Sequence, residues 1–387
     1  MKPHLECISD LGAVKSEEWN KLVPDSNPFQ KHEFLRALEE TGCVGTPESG
    51  WLPRHVLIRP GPGKALAGAL ILYEKYNSYG EYIFDWEWAR AAQMANIPYY
   101  PKLVSAIPFT PASGNRLLVS PQELLPKKTL YRLAIEAVGS IATNSSSSSA
   151  HILFHTAEEA PLFEAEGFEP RSSFQFHWER APHWCHFEDY LGDMKASARK
   201  QIRRERRIAQ EHGLTLRTLR GEELSDLHWD TLWRLYQTTT SHKHAVPYLT
   251  RAFFDNLKGP LKEHVVATFA ENSTGPIAGA LFFSAGDQLF GRYWGTLHYL
   301  NCMHFELCYY LPIEWALKNG INRFEAGAQG EHKLKRGFLP KHCYSSHWIA
   351  HPGLARAVTE FLPREARGVD ETIHAFNRHS PYKNTKG

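Results

Sequence analysis

The sequence lacks the paired cysteines of a disulfide scaffold or a zinc ribbon. Its six cysteines are scattered over 387 residues, and none forms a C-x-x-C pair. This usage is typical of reduced thiols in a cytosolic protein. No apolar run approaches the roughly 18 residues of a membrane-spanning helix, and residues 1–10 contain no apolar signal segment. We therefore expect a cytoplasmic protein without a membrane partner.

Metal-binding and nucleophile motifs are lacking as well. The 21 histidines form neither H-E-x-x-H nor another dense ligand set, so we predict no metal site. No G-x-S-x-G motif of a serine nucleophile occurs. The formal net charge of +2 is too small to indicate a partner, so a charged partner has to be inferred from local clusters of charge.

At 387 residues the chain is long enough for two domains, each able to bury its own core. Hydrophobic residues make up 42% of the sequence and aromatic residues 12%, which is typical of well-packed globular proteins. An internal repeat supports the same division. Residues 66–73 and 79–86 form an apolar segment followed by an aromatic one, and 277–283 and 287–294 repeat this order. We predict a strand hairpin at each place.

Two weaker similarities follow in the same order. Residues 99–108 correspond to 304–313, and 167–174 correspond to 337–344. Three similarities in one order indicate duplication, and a chance pairing of generic hairpins is the alternative. Each half is then predicted to run helix, hairpin, helix, strand, helix, strand, which is an α+β arrangement around a mixed sheet. We place the boundary near residue 180, giving domains 1–180 and 181–387. We expect helices over 31–41, 128–143, 229–240 and 250–257, and strands over 151–154, 214–220 and 264–271.

A basic helix is predicted over 195–212, early in the second half. It contains one acid, Glu205, and seven cations: Lys195, Arg199, Lys200, Arg203, Arg204, Arg206 and Arg207. Like charges three and four residues apart repel one another on a helix, and a polyanion would relieve this repulsion. The partner is either a phosphate-rich cofactor such as coenzyme A or the acceptor arm of a tRNA. The remaining alternative is a solvated charged face.

A glycine-rich stretch at 324–338 is the most informative segment of the chain. Gly327, Gly330 and Gly337 allow close approach of the backbone to a ligand, and the cations between them suit an anionic one. A solvated loop that ends a helix is the alternative interpretation.

These segments together resemble a known family. The chain is similar to the FemAB-like group of the GNAT acyltransferase superfamily, whose members are described as peptidoglycan biosynthesis/recognition proteins. The matching segments are 27–42, 84–88, 99–102, 200–206, 247–250, 291–295, 304–306 and 324–338. The resemblance implies an α+β fold of two tandem GNAT-like domains, each with a mixed, largely antiparallel sheet flanked by helices. It also implies that Lys335, in the counterpart of an F-K-x-x-F element, contacts an anionic substrate. Leu334 stands where that element has its first Phe.

The resemblance implies an aminoacyltransferase that forms an amide bond. Its donor would be aminoacyl-tRNA, used as a co-substrate without another cofactor, and its acceptor the amine of a small peptide, amino acid or cell-wall precursor. An acyl-CoA N-acyltransferase is the first alternative. The pyrophosphate motif Q/R-x-x-G-x-G/A is only partly matched at 288–293 and 292–297, because both lack the last small residue. A non-catalytic ligand-binding protein is the second alternative.

Amide formation needs a proton acceptor and stabilisation of an oxyanion. Candidate proton acceptors are Glu306, Glu325 and His332. The candidates for stabilising the oxyanion are Tyr293 or backbone N–H groups near Gly327. The residues predicted to bind the donor are Arg292, Lys333, Lys335 and Arg336, and Gln329 is a further predicted substrate-binding residue. In the first half, an acid–aromatic–base cluster is predicted to bind the acceptor, although its aromatic members could equally be packing residues. Its members are Asp85, Trp86, Trp88, Tyr100 and Lys102.

Overall fold

The computed structural model describes residues 2–242, 247–327 and 330–383. Its backbone packing divides the chain into two compact units. Unit 1 contains Met1–Pro24, Phe29–Phe174 and His342–Thr372, and unit 2 contains Asp25–Pro28, Gln175–Lys341 and Ile373–Gly387. Unit 1 thus includes a segment from late in the chain. The predicted division at residue 180 took no account of such a segment and stays a prediction.

The first part of the chain, up to residue 179, contains nine strands and five helices among its described residues. The strands are β1 (His4–Ile8), β2 (Trp51–Pro53), β3 (His55–Arg59), β4 (Gly68–Leu70), β5 (Tyr73–Lys75), β6 (Lys102–Ser105), β7 (Leu117–Val119), β8 (Ser149–His155) and β9 (Glu169–Glu179). The helices are α1 (Ser16–Asn20), α2 (His32–Glu40), α3 (Trp86–Met94), α4 (Lys127–Ser145) and α5 (Ala160–Glu164).

The remaining elements follow in chain order. The helices are α6 (Phe187–Asp193), α7 (Ala196–Gln210), α8 (Asp226–His242), α9 (Arg251–Asn256), α10 (Met303–Phe305), α11 (Leu311–Lys318) and α12 (Pro352–Arg378). The strands are β10 (Thr215–Arg220), β11 (Val265–Asn272), β12 (Gly275–Ala285), β13 (Gln288–Thr296), β14 (Arg323–Glu325) and β15 (Leu339–Ile349). A π-helical turn, Glu306–Tyr310, joins α10 to α11, and Glu331–Arg336 forms a 3-10 helix.

Unit 1 has two groups of paired strands. One is antiparallel throughout, in the order β1-β3-β4-β7. In the other, β15, β8, β6, β5 and β2 pair in that order, and only β8 and β6 are parallel. The apolar face of α4 packs on this framework, because Leu130, Ala134 and Val138 recur at helical spacing and share a core with Val56 and Leu70.

Unit 2 is built on β10, β11, β12 and β13, which pair in sequence and antiparallel. The chain then runs through 303–318 and returns as β14, parallel to β13, and β14 pairs antiparallel with β9. Within the described residues, β13 and β14 pair through Gln288–Phe290 and Arg323–Glu325. The register of β12 and β13 shifts between Leu281 and Phe282, so that Arg292 is the additional residue of a β-bulge in β13.

The predicted hairpin of the second half is confirmed by β12 and β13, but its counterpart in the first half is partly wrong. Residues 79–86 were expected to be a strand, whereas they form turns that lead into α3. Gly80 and Tyr82 have φ values of 78° and 65°, which an extended strand does not allow. Likewise, 99–108 contains β6 while its predicted counterpart 304–313 is helical. The segments 167–174 and 337–344 both contribute to strands.

Candidate active site

Unit 2 contains a cleft of about 580 Å³ beside the glycine-rich stretch. Helix α7 contributes one side of it and the Glu331–Arg336 helix another. The sequence singled out both elements separately, and the fold brings them together. The lining residues are Gln201, Glu205, Phe305, Glu331, His332, Leu334, Lys335, Arg336, Phe376 and His379.

Arg336 is the buried cation of this cleft. Its Nη2 donates to both carboxylate oxygens of Glu205, at 2.8 Å each, and its Nη1 donates to the backbone oxygen of His332 at 2.7 Å. The guanidinium carbon lies 3.4 Å from the ring centre of Phe305, a cation–π arrangement. Arg336 was predicted to bind the donor. In this structure its two terminal nitrogens donate to protein oxygens, those of Glu205 and the backbone oxygen of His332.

His332 is a titratable group at the surface of the cleft. Its Nε2 lies 2.9 Å from the hydroxyl of Tyr309. Burial, together with the charges of Arg336 and Lys333, lowers the pKa of His332 below its usual range. The imidazole is therefore neutral at pH 7 and can accept a proton.

The two lysines of the glycine-rich stretch have different surroundings. Lys333 is buried, and its Nζ donates to the backbone oxygen of Gly327 at 2.7 Å. Burial lowers the pKa of Lys333 to about 7, so a large share of this amine is uncharged near neutrality. Lys335 is exposed and lines the cleft. Of the two, Lys335 is the one that an anionic ligand can reach directly. Gln329, predicted to bind a substrate, lies outside the described residues.

Glu306, the first of the predicted proton acceptors, is buried in an ion pair. Arg206 donates to it from Nε and Nη2, with the shortest distance 2.8 Å, and from Nη1 to Glu314 at 2.6 Å. Burial raises the pKa of Glu306, and Arg206 opposes this rise. The carboxylate is therefore occupied and does not line the cleft.

Glu325 is buried in β14, and its Oε1 lies 3.0 Å from a guanidinium nitrogen of Arg323. The same nitrogen lies 2.9 Å from Nδ1 of His177 on the adjacent strand. Glu325 thus belongs to a buried polar group in the sheet. His332 is the one member of the three predicted proton acceptors that lines the cleft.

Tyr293 and Arg292 lie at the bulge of β13. The Tyr293 ring contacts that of Tyr236 edge to face with a centroid separation of 4.8 Å, and the Arg292 guanidinium lies 5.3 Å from the Tyr293 ring. Both side chains are partly exposed. The cleft described above is lined by neither of them.

The predicted basic helix is confirmed as α7, and its seven cations divide into two groups. Arg206 faces inward, with its side chain 18% exposed, and Arg199 is partly exposed. The others are exposed: Lys195, Lys200, Arg203, Arg204 and Arg207. Arg203 pairs with Glu188, and Arg207 lies 3.6 Å from Glu211. The exposed group still forms a cationic face.

The predicted acceptor cluster of unit 1 surrounds a buried lysine. Nζ of Lys102 donates to Ser78 Oγ at 2.7 Å, to Glu81 Oε2 at 2.9 Å and to Asp85. Burial alone would raise the pKa of Asp85, but the charge of Lys102 lowers it below its usual range. Burial raises the pKa of Glu81 to about 7. Lys102 and Asp85 are both buried, so neither side chain is accessible to a ligand from solvent.

The aromatic members of that cluster differ in exposure. Trp88 is buried beneath the guanidinium of Arg171, 4.6 Å from its ring centre. Trp86 is 41% exposed, and Tyr100 is half-buried with its hydroxyl 2.8 Å from Ser78 Oγ. An acceptor could therefore contact Trp86 or Tyr100 but not Lys102.

A family model described as peptidoglycan biosynthesis/recognition, FemAB-like, matches residues 10–384. The chain belongs to the FemAB-like family. The resemblance noted in the sequence is thereby confirmed over nearly the whole length. A search of curated proteins returned no match.

Solved structures show the fold of this FemAB-like chain. FemX is 11% identical, with 93% of this chain and 100% of that chain covered and a TM-score of 0.54. A conserved protein of unknown function from Bacteroides thetaiotaomicron is 8% identical, with coverage of 90% and 100% and a TM-score of 0.51. A tandem GNAT protein from the clavulanic acid biosynthesis pathway is also matched, at 12% identity, coverage of 91% and 99% and a TM-score of 0.45. The predicted α+β fold, with mixed, largely antiparallel sheets flanked by helices, is confirmed.

In the described part of the FemAB-like chain, no helix combines the length and the apolar character needed to cross a bilayer.

Sequence reasoning missed several residues that line the cleft. Phe376 and His379 come from the end of the chain, where no motif pointed to a site. Glu205 carried a usable signal, because it is the single acid in a run of cations and lies three residues after Ile202. A lone acid at apolar spacing on a basic helix indicates a buried partner of opposite charge.

Proposed function

We propose that this FemAB-like chain is an acyltransferase that moves an amino acid from aminoacyl-tRNA to the amine of a peptide, amino acid or cell-wall-type precursor, forming an amide. The observation that carries the proposal is the cleft of unit 2. It combines a neutral histidine, an exposed lysine and the helix whose outer face is cationic. The family description, peptidoglycan biosynthesis/recognition, supports an acceptor of the cell-wall type.

The chemistry assigns a role to each group. The acceptor amine attacks the ester carbonyl of the donor, a carbon–nitrogen bond forms, and the ester carbon–oxygen bond breaks. His332 accepts the proton that the amine loses, since its lowered pKa leaves it neutral at pH 7. The ribose oxygen leaves and takes up a proton. Lys335 provides a positive charge for the anionic donor or for the oxyanion.

The exposed cations of α7 bind the phosphates of the donor. Several phosphate contacts along one helix make affinity strongly dependent on salt, as is usual for nucleic-acid ligands. No cofactor other than the co-substrate is required by this chemistry. Positioning of the two substrates supplies much of the rate.

The test is a transfer assay with three donors. Purified protein is incubated with a peptide carrying a free amine and with tRNA charged with radiolabelled amino acids, the same tRNA after RNase digestion, or radiolabelled acyl-CoA. We expect label in the peptide only from intact charged tRNA. Transfer that survives RNase digestion would exclude tRNA as the donor, and transfer from acyl-CoA would identify acyl-CoA as the donor. Saturable binding of the peptide without transfer from any donor would make the chain a binding protein.

A matched pair of histidine variants tests the assigned proton acceptor. His332→Ala should lower kcat by about 10²- to 10⁴-fold, the usual contribution of a general base. His298→Ala changes an exposed histidine of the same unit and should leave kcat unchanged. Equal kcat values for the two variants would show that His332 is not the proton acceptor.

A further inference from the structure

The single acid of the basic helix points into the protein. Ile202, Glu205 and Ala209 are the buried residues of α7, at spacings of three and four. Two of these three positions carry the apolar side chains that helix packing normally requires, and the third carries a carboxylate. A carboxylate kept at a packing position has to be compensated by charge and hydrogen bonds.

Three donors surround the Glu205 carboxylate. Arg336 approaches both oxygens from Nη2 at 2.8 Å, Gln201 donates to Oε1 at 2.9 Å, and the hydroxyl of Tyr310 donates to Oε2. Arg336 in turn donates to the backbone oxygen of His332, and the backbone oxygen of Arg336 accepts a hydrogen bond from Tyr190 at 2.8 Å. These hydrogen bonds run without interruption from α7 to the segment that carries His332.

The π-helical turn contributes to this arrangement. Phe305 and Tyr310 are five residues apart, and in an α-helix their side chains would diverge by about 140°. Hydrogen bonding from i to i+5 in the turn Glu306–Tyr310 brings residues at this spacing to a similar side. The Phe305 ring therefore lies against the Arg336 guanidinium while the Tyr310 hydroxyl reaches Glu205. Such turns occur frequently at functional sites.

We propose that Glu205 is a positioning residue: through Arg336 it fixes the Glu331–Arg336 helix, with His332 and Lys335, relative to the donor-binding face of α7. This proposal rests on the proposed function and deepens it, because it names the group that couples donor binding to the reacting centre. Glu205 lies on the inner side of α7 and the exposed cations on its outer side. The donor and the proton acceptor are thus aligned by one helix.

The test separates donor binding from turnover. In Glu205→Gln, Arg336 loses its counter-charge, so we expect kcat to fall by about tenfold to a hundredfold, as small misplacements of reacting groups do. The Kd for charged tRNA should stay within about twofold, since no exposed cation is changed. Glu205→Asp should recover part of kcat. Tyr310→Phe, which removes one hydroxyl and keeps the ion pair, should lower kcat by less than Glu205→Gln does.

Two further variants distinguish positioning from stability. Glu205→Gln combined with Arg336→Gln removes both charges, so its melting temperature should recover towards the wild type while kcat stays low. Glu222→Gln changes an exposed acid of unit 2 outside α7 and should alter neither kcat nor Kd. Recovery of kcat together with the melting temperature would overturn the proposal, as would a Glu205→Gln variant with wild-type kcat. Failure of the proposed function itself would be seen separately, as wild-type protein that transfers nothing.

Discussion

Arg206 encloses the carboxylate of Glu306, with Nη2 2.8 Å from Oε1 and Nε 3.2 Å from Oε2. The sequence suggested a phosphate-binding role for the arginine and a proton-accepting role for the glutamate. In the structure each satisfies the other, and the guanidinium also lies 4.6 Å from the ring centre of Phe187. The pair fixes α7 to the helical segment 303–318 and is closed to a phosphate.

Replacing Arg206 should therefore affect stability more than donor binding. Arg206→Met leaves Glu306 buried without its cation, and we expect the free energy of unfolding to fall by about 3–5 kcal/mol. Urea denaturation followed by circular dichroism measures this change. Arg207→Met, on the exposed side of the same helix, should change it by less than about 0.5 kcal/mol. Equal losses for the two variants would contradict the assignment of Arg206 to the interior.

The donor-binding face of α7 is tested by its exposed cations. Lys200→Glu and Arg204→Glu should each weaken tRNA binding, and the slope of log Kd against log salt should flatten by about 0.7–0.9 for each phosphate that is no longer neutralised. Fluorescence anisotropy with labelled tRNA at several salt concentrations provides the measurement. Lys262→Glu makes the same change of charge at an exposed site elsewhere in unit 2 and serves as the control. An unchanged slope in both α7 variants would place the donor on another surface.

The pH dependence of transfer should report the neutral form of His332. Burial and the charges of Arg336 and Lys333 lower its pKa below 6.5, so the proton-accepting form increases as pH rises through that lowered pKa. We expect kcat/KM to rise as pH increases through this lowered pKa and to level off above it, because His332 is then neutral. His332→Ala should abolish this rise. Lys333 has a pKa of about 7 and is the other group that could cause such a rise. Lys333→Met should retain the rise in kcat/KM, which would assign the rise to His332.

The parts of the fold that follow from local pattern could be predicted from the sequence. The amphipathic spacing of α4, the apolar run of β12 and the aromatic run of β13 are local properties, and the structure places these elements close to the expected bounds. Residues 79–86 have the composition of a strand. In the structure, however, the side chains of Glu81 and Asp85 both contact Lys102, and the backbone between them forms turns. A long-range ion pair of this kind has no local signal.

The same distinction applies to the candidate site. The glycine-rich stretch and the basic helix were visible because their composition is unusual over a short distance. Which face of α7 each cation occupies was not visible, because Arg206 and Arg203 are three residues apart and differ only in the partners that the fold supplies. Phe376 lines the cleft because of where the last helix of the chain packs, and no local sequence pattern determines that packing.

The buried lysine of unit 1 gives the last prediction. Lys102→Met leaves the carboxylates of Glu81 and Asp85 in the interior without their shared cation, so we expect a loss of about 3–5 kcal/mol in the free energy of unfolding. Trp86→Ala alters an exposed aromatic of the same predicted cluster and should cost less than about 1 kcal/mol, so the two variants separate packing from ligand binding. Denaturation curves and the KM for the acceptor are measured for both. A lysine whose ion pair is essential to the structure cannot be removed without loss of stability. If Lys102→Met therefore kept wild-type stability and raised the KM for the acceptor, Lys102 would be a substrate-binding residue.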